Sequence, residues 1–403
     1  MRKHVAAIGA FLALTGALVP AVASASAPAS PAPRSAAELP PLDPALMRAA
    51  ISGLPSATVT GALVNVTGSA GQWSGTSGVR DVVTRRTVQA DGNFRIGSTS
   101  KIFTAVVLLQ LAAEGKVDLG RSVRHYLPGL LPAAYPAITV RQLLNHTSGL
   151  PGGDLGDGDA QWFVEHRFDS WTPRRIVADA VTHPMEFAPG TAQRYNGTNY
   201  YVAGLLIERL TGRSYAHEVR QRIIRPLNLR DTYVLDRHDP RLPGPHAHGY
   251  VAVTKDGTTT LHDVSRQSPY PWAEGGLISN SADLRTLITA IFRGRLVPAS
   301  DLNEMFTVPD VPYVGKDNCN IGPDAGRACF SAGLSKSTLP NGLSGWGKTG
   351  ARPGYTTGVF ATRDLSRVLV YSLNATGNKD GSESPYVQRI VAATFDPDLL
   401  SEN

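Results

Sequence analysis

The chain has 403 residues and a formal net charge of +6 at pH 7, carried mainly by arginine because lysine occurs at only eight positions. The basic residues are scattered rather than clustered. This distribution argues against the contiguous basic patch that nucleic-acid binding needs and favours a solvated basic surface. Beyond the amino-terminal segment, no stretch holds eighteen uninterrupted apolar residues, so the sequence predicts no membrane-spanning helix.

The first 25 residues have the layout of a secretory signal peptide. Arg2 and Lys3 give a positive start, residues 5–22 form an apolar run, and the small residues at 21–25 offer cleavage sites of the Ala-x-Ala type. A membrane anchor or a buried helix is the alternative for the same run. Residues 26–36, rich in Pro, Ala and Ser, are typical of a disordered linker. We therefore expect a secreted, extracellular protein whose residues 37–403 form one domain.

From residue 57 onward the pattern changes between strands and helices. Alternating β-branched residues predict strands over 57–66 and 71–80, and two more over 357–362 and 367–374, joined by a turn at 364–366. Apolar periodicity predicts helices over these ranges: 98–114, 140–145, 172–182, 199–210, 281–293 and 387–393. Strands from both chain ends would pair in one antiparallel sheet. The expected fold class is α+β, an antiparallel sheet flanked by helices with a mostly helical second lobe at roughly 116–250.

The first long helix begins with Ser98, followed three residues later by Lys101. A serine in the first helical turn lies near unpaired backbone N–H groups, and a lysine three positions on lies on the same helix face. Residues 102–111 are so apolar that we expect the helix to be buried. Burial would lower the pKa of the lysine and let it act as a base for the serine hydroxyl. A capping serine before an ordinary surface lysine is the alternative.

Two further segments carry residues suited to the same chemistry. Lys348, Thr349 and Gly350 form a Lys-Thr-Gly triad just before the paired carboxy-terminal strands. On an edge strand this triad would present a cation and backbone groups to an extended acyl substrate. Tyr195, in a turn before a helix, is suited to carry a proton if neighbouring lysines lower its pKa. Each has a plain structural alternative, a turn for the triad and a loop-closing tyrosine for Tyr195.

The order Ser-x-x-Lys, Tyr, Lys-Thr-Gly resembles that of the serine penicillin-recognising enzymes. More closely, the chain resembles class C β-lactamases and the secreted Streptomyces-type D-alanyl-D-alanine carboxypeptidases, from about residue 59 to residue 374. Three segments carry the likeness beyond the motifs: 94–98 (FRIGS), 138–151 (ITVRQLLNHTSGLP) and 274–279 (EGGLIS). The resemblance implies a β-lactamase/transpeptidase-like fold.

The resemblance also implies a role for each matched residue. Ser98 would attack the substrate carbonyl and form an acyl-enzyme, while Lys101 and Tyr195 would share the proton transfers, with the identity of the base left open. Lys348 would hold Tyr195 and a substrate carboxylate electrostatically. The backbone N–H groups of Ser98 and Ala351 would form the oxyanion hole. Thr349 and Gly350 would line the substrate-binding edge together with these two residues.

Two positions depart from the family pattern. The family motif Tyr-x-Asn would place asparagine two residues after Tyr195, but Gly197 stands there. Asn196 is then the remaining amide candidate for substrate binding, although its side chain should point elsewhere. The Streptomyces-type carboxypeptidases carry an arginine before the triad to grip a terminal carboxylate, whereas this chain has Lys336, a point charge without a bidentate grip. Both changes leave the acylation residues intact and leave the substrate open.

The chain has two cysteines, Cys319 and Cys329. They lie ten residues apart in a segment rich in Gly, Pro, Asn and Asp, and in an extracellular protein this spacing predicts a loop disulfide. No Cys-x-x-Cys pair occurs, and His246 and His248 have no third ligand at metal spacing. The sequence therefore predicts no metal and no cofactor.

The leading hypothesis is a secreted serine D,D-carboxypeptidase-type hydrolase acting on D-Ala-D-Ala ends of peptidoglycan stem peptides. An esterase, a D-amino-acid amidase and a β-lactamase are rivals because one scaffold hosts all of these activities. The absence of the Tyr-x-Asn amide favours the esterase among these rivals. The rival from another class is a non-hydrolytic module that binds cell-wall fragments or β-lactams; an α/β-hydrolase is disfavoured because no Gly-x-Ser-x-Gly occurs. We expect a monomer whose partners are a small peptide or ester substrate and β-lactams.

Overall fold

A six-stranded antiparallel sheet, built from both ends of the chain, forms the centre of the computed structural model. The structure describes residues 39–156, 158–316, 319–320 and 322–400. The predicted signal peptide (1–25) and linker (26–36) lie outside these residues. The described residues contain ten strands: β1 (Val59–Thr67), β2 (Trp73–Gly78), β3 (Phe94–Arg95), β4 (Tyr250–Lys255), β5 (Thr258–Asp263), β6 (Ile278–Ser279), β7 (Ser335–Thr338), β8 (Ser344–Arg352), β9 (Tyr355–Ala361) and β10 (Val368–Ala375).

The strand order in the sheet is β2-β1-β10-β9-β8-β7. β1 pairs antiparallel with β10, with Val64 opposite Tyr371, so the predicted antiparallel sheet from both chain ends is confirmed. The Lys-Thr-Gly triad lies in β8, which is not the edge strand that the sequence predicts, because the short β7 covers its first half. That pairing stops at Gly347, and from Lys348 onward the only described strand paired with β8 is β9.

Helices surround the sheet and fill the second lobe. The described residues form these α-helices: α1 (Pro44–Ala50), α2 (Ser100–Ala113), α3 (Val123–Tyr126), α4 (Val140–Leu144), α5 (Ala160–His166), α6 (Pro173–Ala180), α7 (Thr198–Thr211), α8 (Tyr215–Val219), α9 (Trp272–Gly275), α10 (Ser281–Phe292), α11 (Ala299–Leu302) and α12 (Ser384–Phe395). Between 116 and 250 the elements are helices, which agrees with the α+β class predicted. Within the described ranges, no helix is long and apolar enough to cross a membrane.

The helix predicted over 98–114 is built in two parts. Gly97–Thr99 form a 3₁₀ turn, and α2 follows from Ser100 to Ala113. The 3₁₀ turn arises because Gly97 adopts a φ of +48°, open to glycine at little cost, and the Thr99 N–H then bonds to the Ile96 carbonyl at 3.1 Å. Ser98 therefore lies in the tight turn rather than in the first turn of the α-helix.

Apolar layers cover both faces of the sheet. On one face α1 and α12 pack over β1 and β10 around Val64, Leu369 and Ile390. On the other face lie α10 and the 3₁₀ turn, with α2 between the sheet and the helical lobe. Residues 105–109 of α2 are all fully buried, and the helix reaches solvent in its last turn. Packing on every side fixes the turn that carries Ser98.

Candidate active site

Ser98 lies against strand β8 because two glycines allow the backbones to approach. A Cβ on Gly97 would lie 2.6 Å from the backbone nitrogen of Ala351. A Cβ on Gly350 would overlap the carbonyl oxygen of Ile96 and would lie 2.9 Å from the backbone nitrogen of Ser98. The N–H groups of Ser98 and Ala351 therefore sit on adjoining segments, as an oxyanion hole requires.

The Lys101 side chain is fully buried, and each of its three ammonium protons has an acceptor. Nζ lies 3.1 Å from Ser98 Oγ and 2.7 Å from the carbonyl oxygen of Glu274, and it also forms an ion pair with the Glu274 carboxylate. Burial alone lowers the pKa of Lys101, but the charge of Glu274 and then that of Tyr195 outweigh it and raise the pKa above its usual value. The expected lowering of this pKa is therefore wrong, because the sequence alone does not show the carboxylate.

Glu274 is a site residue for which the sequence predicts no role. It lies in α9, and the backbone of its turn is hydrogen-bonded to the side chains of Ser100 and Thr104 on α2, at 3.1 and 2.6 Å. Burial raises the pKa of Glu274, but the Lys101 charge outweighs it, so the carboxyl is ionised more readily than usual. A carboxylate inside a Gly-rich turn is the only sequence signal, and it does not reveal a partner 173 positions earlier.

Tyr195 lies between two lysines. Lys101 Nζ is 5.0 Å and Lys348 Nζ is 4.6 Å from the centroid of the Tyr195 ring. The Tyr195 hydroxyl oxygen is buried and has no hydrogen-bond partner among the described residues. Burial raises the pKa of Tyr195, but the two positive charges outweigh it and lower the pKa below the usual value. The surroundings thus favour a phenolate that can accept a proton.

Lys348 completes a set of four ionisable groups, of which the two lysines are buried and Tyr195 and Glu274 are partly buried. Its Nζ donates to the Thr349 carbonyl at 2.9 Å. Burial lowers the pKa of Lys348 below its usual value, and the Tyr195 charge only partly offsets this effect. With Tyr195 as phenolate, the two lysines balance Tyr195 and Glu274, and the set is neutral. A neutral buried set is easier to desolvate than one with a net charge, which again favours the phenolate.

His146 is buried next to Tyr195, with 4.6 Å between the two ring centroids. Burial, and then the charges of Lys101 and Lys348, hold the pKa of His146 well below its usual value. The neutral ring accepts a hydrogen bond at Nδ1 from the backbone N–H of Asn196, at 3.3 Å. In the sequence, His146 is notable only as part of the family-like segment 138–151, and that segment does not predict a position beside Tyr195.

The residues after Tyr195 supply no amide to the site. Asn196 Nδ2 donates to the Leu150 carbonyl at 2.7 Å, and Asn196 Oδ1 accepts from the Thr198 N–H at 2.8 Å. Both ends of the amide are bonded to backbone, of Leu150 and of Thr198 at the start of α7, so Asn196 has a structural role here and its role in substrate binding stays a prediction. At Gly197, a Cβ would face the Glu274 carboxylate.

A disulfide loop forms one wall beside Tyr195. Cys319 and Cys329 are bonded to each other, and the Phe330 ring lies 5.0 Å from the Tyr195 ring, centroid to centroid. The buried amide of Gln193 joins this loop to the Tyr195 segment. It donates to the Phe330 carbonyl at 2.9 Å and accepts from the N–H groups of Cys329 and Phe330 at 2.9 and 3.0 Å. A single glutamine forms no recognisable sequence motif, so the hydrogen bonds between Gln193 and the disulfide loop were not predicted.

Lys336 lies on the edge strand β7. It stands opposite Trp346 in the register and therefore shares a sheet face with Lys348. Its ammonium lies 3.9 Å from the Asp324 carboxylate, its one ion pair within the described ranges. The charge expected to attract a substrate carboxylate is thus partly neutralised, and the structure does not join Lys336 to the Ser98 group.

Known proteins match the segment that carries this site. A model of the Beta-lactamase family matches residues 47–393. Penicillin-binding protein 4* of Bacillus subtilis is 26% identical over 337 residues, 78% of this chain and 67% of that protein. Penicillin-binding protein 4 of Amycolatopsis lactamdurans is 28% identical over 214 residues, 52% of this chain and only 53% of that protein. A D-stereospecific amidohydrolase from Streptomyces sp. has a solved structure that is 34% identical, with a TM-score of 0.74 over 88% of this chain and 98% of that one.

Proposed function

Because the chain belongs to the beta-lactamase family of serine hydrolases, we propose that it cleaves amide bonds formed by the carboxyl group of a D-amino acid, through an acyl-enzyme on Ser98. The observation that carries the proposal is the Lys101 ammonium, 3.1 Å from Ser98 Oγ, with Tyr195 held between Lys101 and Lys348. A nucleophile, a proton acceptor and adjoining backbone N–H groups are the parts that acyl transfer needs.

Tyr195 is the proton acceptor in this mechanism. Lys101 has all three protons bonded and a raised pKa, so it stays an ammonium. The Tyr195 phenolate takes the proton from Ser98 Oγ as the oxygen bonds to the substrate carbonyl carbon. The amide C–N bond breaks, and the leaving amine receives that proton. Water then attacks the ester, gives its proton through Tyr195 back to Ser98 Oγ, and releases the acid.

The first candidate substrate is a peptide that ends in D-Ala-D-Ala, as in peptidoglycan stem peptides. Two relatives are named penicillin-binding proteins, and β-lactams react with enzymes that acylate on such peptides. The signal-peptide layout of residues 1–25 supports a location outside the cytoplasm, where these peptides occur. The reaction would be that of a D,D-carboxypeptidase, with Lys348 as the cation nearest the substrate carboxylate.

The second candidate substrate is the amide of a D-amino acid without a terminal carboxylate. The ion pair between Lys336 and Asp324 favours it, because the charge available to bind a carboxylate is reduced there. The likeness to the D-stereospecific amidohydrolase points the same way. Both candidates share a D-configured acyl group, but the first releases a D-amino acid and the second releases ammonia.

Intact-protein mass spectrometry combined with product analysis tests the proposal. The mature protein is incubated separately with benzylpenicillin, a diacyl tripeptide ending in D-Ala-D-Ala, the amides of D- and L-phenylalanine, and p-nitrophenyl acetate. We expect an adduct on Ser98, release of D-alanine or of ammonia from the D-amide, and little reaction with the L-amide. Ser98→Ala should abolish every acyl transfer without unfolding the protein.

The pattern of products separates the alternatives. D-Alanine release with a stable penicilloyl adduct indicates a D,D-carboxypeptidase, and ammonia release from the D-amide alone indicates a D-amino-acid amidase. Ester turnover without either amide reaction would overturn the proposal in favour of an esterase. Rapid turnover of benzylpenicillin would indicate a β-lactamase, and the lack of any reaction would favour a non-hydrolytic binding module.

A further inference from the structure

Gly197, at the position of the missing Tyr-x-Asn amide, faces Glu274. A Cβ on Gly197 would lie 3.5 Å from Glu274 Cδ and 3.6 Å from Oε2, which is ordinary van der Waals contact. A methyl group therefore fits, but the amide of a longer side chain on the same course would meet the carboxylate. Glu274 thus lies next to the space that an asparagine side chain at 197 would enter.

The backbone does not require glycine at this position. Gly197 has φ −65° and ψ −33°, ordinary right-handed helical values at the start of α7. Unlike Gly97, it has no conformational reason to lack a side chain. The reason lies in the space beside it, which is bounded by the carboxylate that is paired with Lys101.

Glu274 is held in place by its own turn as well as by Lys101. Ala273 of α9 accepts a hydrogen bond from Thr104, and Leu277, just after α9, donates one to Ser100; the two α2 residues lie on either side of Lys101 in sequence. Lys101 Nζ donates to both the carbonyl and the carboxylate of Glu274, which leaves one proton for Ser98 Oγ. The direction of that third N–H is therefore set by the two bonds to Glu274.

We propose that Glu274 is a positioning residue for acyl transfer, which occupies the space that a Tyr-x-Asn side chain at 197 would enter and holds Lys101 as an ammonium directed at Ser98. The inference rests on the proposed acylation of Ser98, but not on the identity of the substrate. Glu274 acts through Lys101. We therefore expect that asparagine at position 197 together with a small residue at position 274 can replace the pair of Gly197 and Glu274.

Exchange of the two residues tests the proposal. Gly197→Asn alone pushes the carboxylate off Lys101, and Glu274→Ala alone leaves the ammonium without its carboxylate partner; each should lower kcat/KM for p-nitrophenyl acetate by about tenfold or more. In the double variant the new asparagine can reach Lys101, so we expect kcat/KM about tenfold above that of either single variant. Gly197→Ala, whose Cβ fits, is the matched control and should keep the parent activity.

An additive loss in the double variant would overturn the proposal. Misfolding is recognised separately, by circular dichroism and thermal unfolding of every variant. If p-nitrophenyl acetate is not turned over, the same four proteins are compared by their rate of inactivation with phenylmethylsulfonyl fluoride, which reads the reactivity of Ser98 directly. Failure of the D-amide assays with intact ester or sulfonyl fluoride chemistry would refute the proposed function and leave this inference standing.

The charge of Glu274 is tested by Glu274→Gln, which keeps an acceptor for Lys101. Titratable groups from several elements interact electrostatically with Glu274 or lie beside Tyr195. They are Lys101, His146, Tyr195, Tyr201, Lys348, Arg352 and Lys379. The Glu274 charge raises the pKa values of both Lys101 and Tyr195. Its loss should lower both, so that the rising and falling limbs of kcat/KM against pH move to lower pH, by about one unit for a tenfold change in proton affinity.

A packing role for Glu274 would not move these limbs. The control is Glu304→Gln, which removes an equal charge from the Arg141 ion pair away from the site and should leave the profile unchanged. Phenolate difference absorbance, taken as parent minus Tyr195→Phe, reads the tyrosine directly and should shift in the same direction. The proposal would be refuted if Glu274→Gln lowered kcat/KM but shifted neither its dependence on pH nor the titration of the Tyr195 phenolate.

Discussion

The backbone of Gly97 lies so close to that of Ala351 that a Cβ on the glycine would be 2.6 Å from both the nitrogen and the oxygen of Ala351. This contact brings the turn that carries Ser98 onto β8, beyond the point where β7 ends. The proposed oxyanion hole therefore depends on two segments about 250 residues apart in sequence, whose N–H groups must point at one oxygen. Its geometry is sensitive to a single methyl group.

Gly97→Ala should separate the two N–H groups. We expect kcat/KM to fall about a hundredfold, the order of loss when one oxyanion-hole donor is removed. The positive φ of +48° adds a backbone strain of about 1 kcal/mol. Steady-state kinetics with p-nitrophenyl acetate and thermal unfolding of the same samples measure the two effects.

Gly115→Ala is the matched control for that strain. Gly115 has φ +70° at the end of α2, and a Cβ there would have no atom within 4 Å. The control should lose a similar amount of stability and keep its kcat/KM. If Gly97→Ala and Gly115→Ala have equal kinetics, the close approach to Ala351 is not part of the oxyanion hole.

The sheet and the two lysine motifs were predictable because they rest on local patterns. Alternation marks β1 and β10, and the apolar run after Lys101 marks a buried helix. The position of the Lys-Thr-Gly triad inside the sheet was not predictable. Its neighbour β7 has only four residues, too few for alternation to stand out from a loop.

The electrostatics of the site depend on contacts that no local pattern contains. Burial alone predicts a lowered pKa for Lys101, and the opposite result follows from Glu274, 173 positions away. Asn196 could be judged only when its amide was seen bonded to the backbone at the start of α7. In both cases the outcome depends on a contact in the folded chain that no local sequence pattern shows.

Tyr195→Phe distinguishes the two candidate bases. If the phenolate accepts the Ser98 proton, kcat should fall about a hundredfold or more. Stability should fall, because the variant leaves the two buried lysines opposite the single negative charge of Glu274. Full activity in this variant would assign the base to Lys101 instead.

The control for the hydroxyl change is Tyr250→Phe. The Tyr250 hydroxyl donates to Asp81 at 3.2 Å and accepts from the Val82 N–H at 3.3 Å. Its loss should lower the free energy of unfolding by about 1 kcal/mol while kcat stays the same. Both tyrosine variants should thus lose stability, but only Tyr195→Phe should lower kcat.

His146 predicts how stability depends on pH. Its pKa in the folded protein is depressed, so between that value and the unfolded value of about 6.5 the unfolded chain binds one more proton than the folded chain. Stability from this group is complete above about pH 6.5 and falls as the pH decreases, by at most about 1.4 kcal/mol per unit. His146→Asn should reduce this slope in urea titrations, and His238→Asn, at an exposed position, should not. Equal slopes in all three proteins would contradict the prediction.

Gln193 predicts a link between the disulfide loop and the position of Tyr195. Its amide makes four hydrogen bonds to backbone groups. Gln193→Leu removes all four at similar volume, and we expect a loss of about 3 kcal/mol of unfolding free energy. The rate of Ser98 modification by phenylmethylsulfonyl fluoride should fall as well, because the segment that carries Tyr195 is then no longer tied to Phe330.

Gln110→Leu is the matched control, because the partly buried Gln110 amide makes a single hydrogen bond within the described residues, from Nε2 to the Leu296 carbonyl at 2.8 Å. Its loss should cost about 1 kcal/mol or less and leave the modification rate unchanged. Both variants replace one glutamine by leucine, so they differ in the number of hydrogen bonds lost and in the position of these bonds in the structure. Similar losses of stability in the two variants, with no change in the reactivity of Ser98, would mean that the Gln193 network does not position Tyr195.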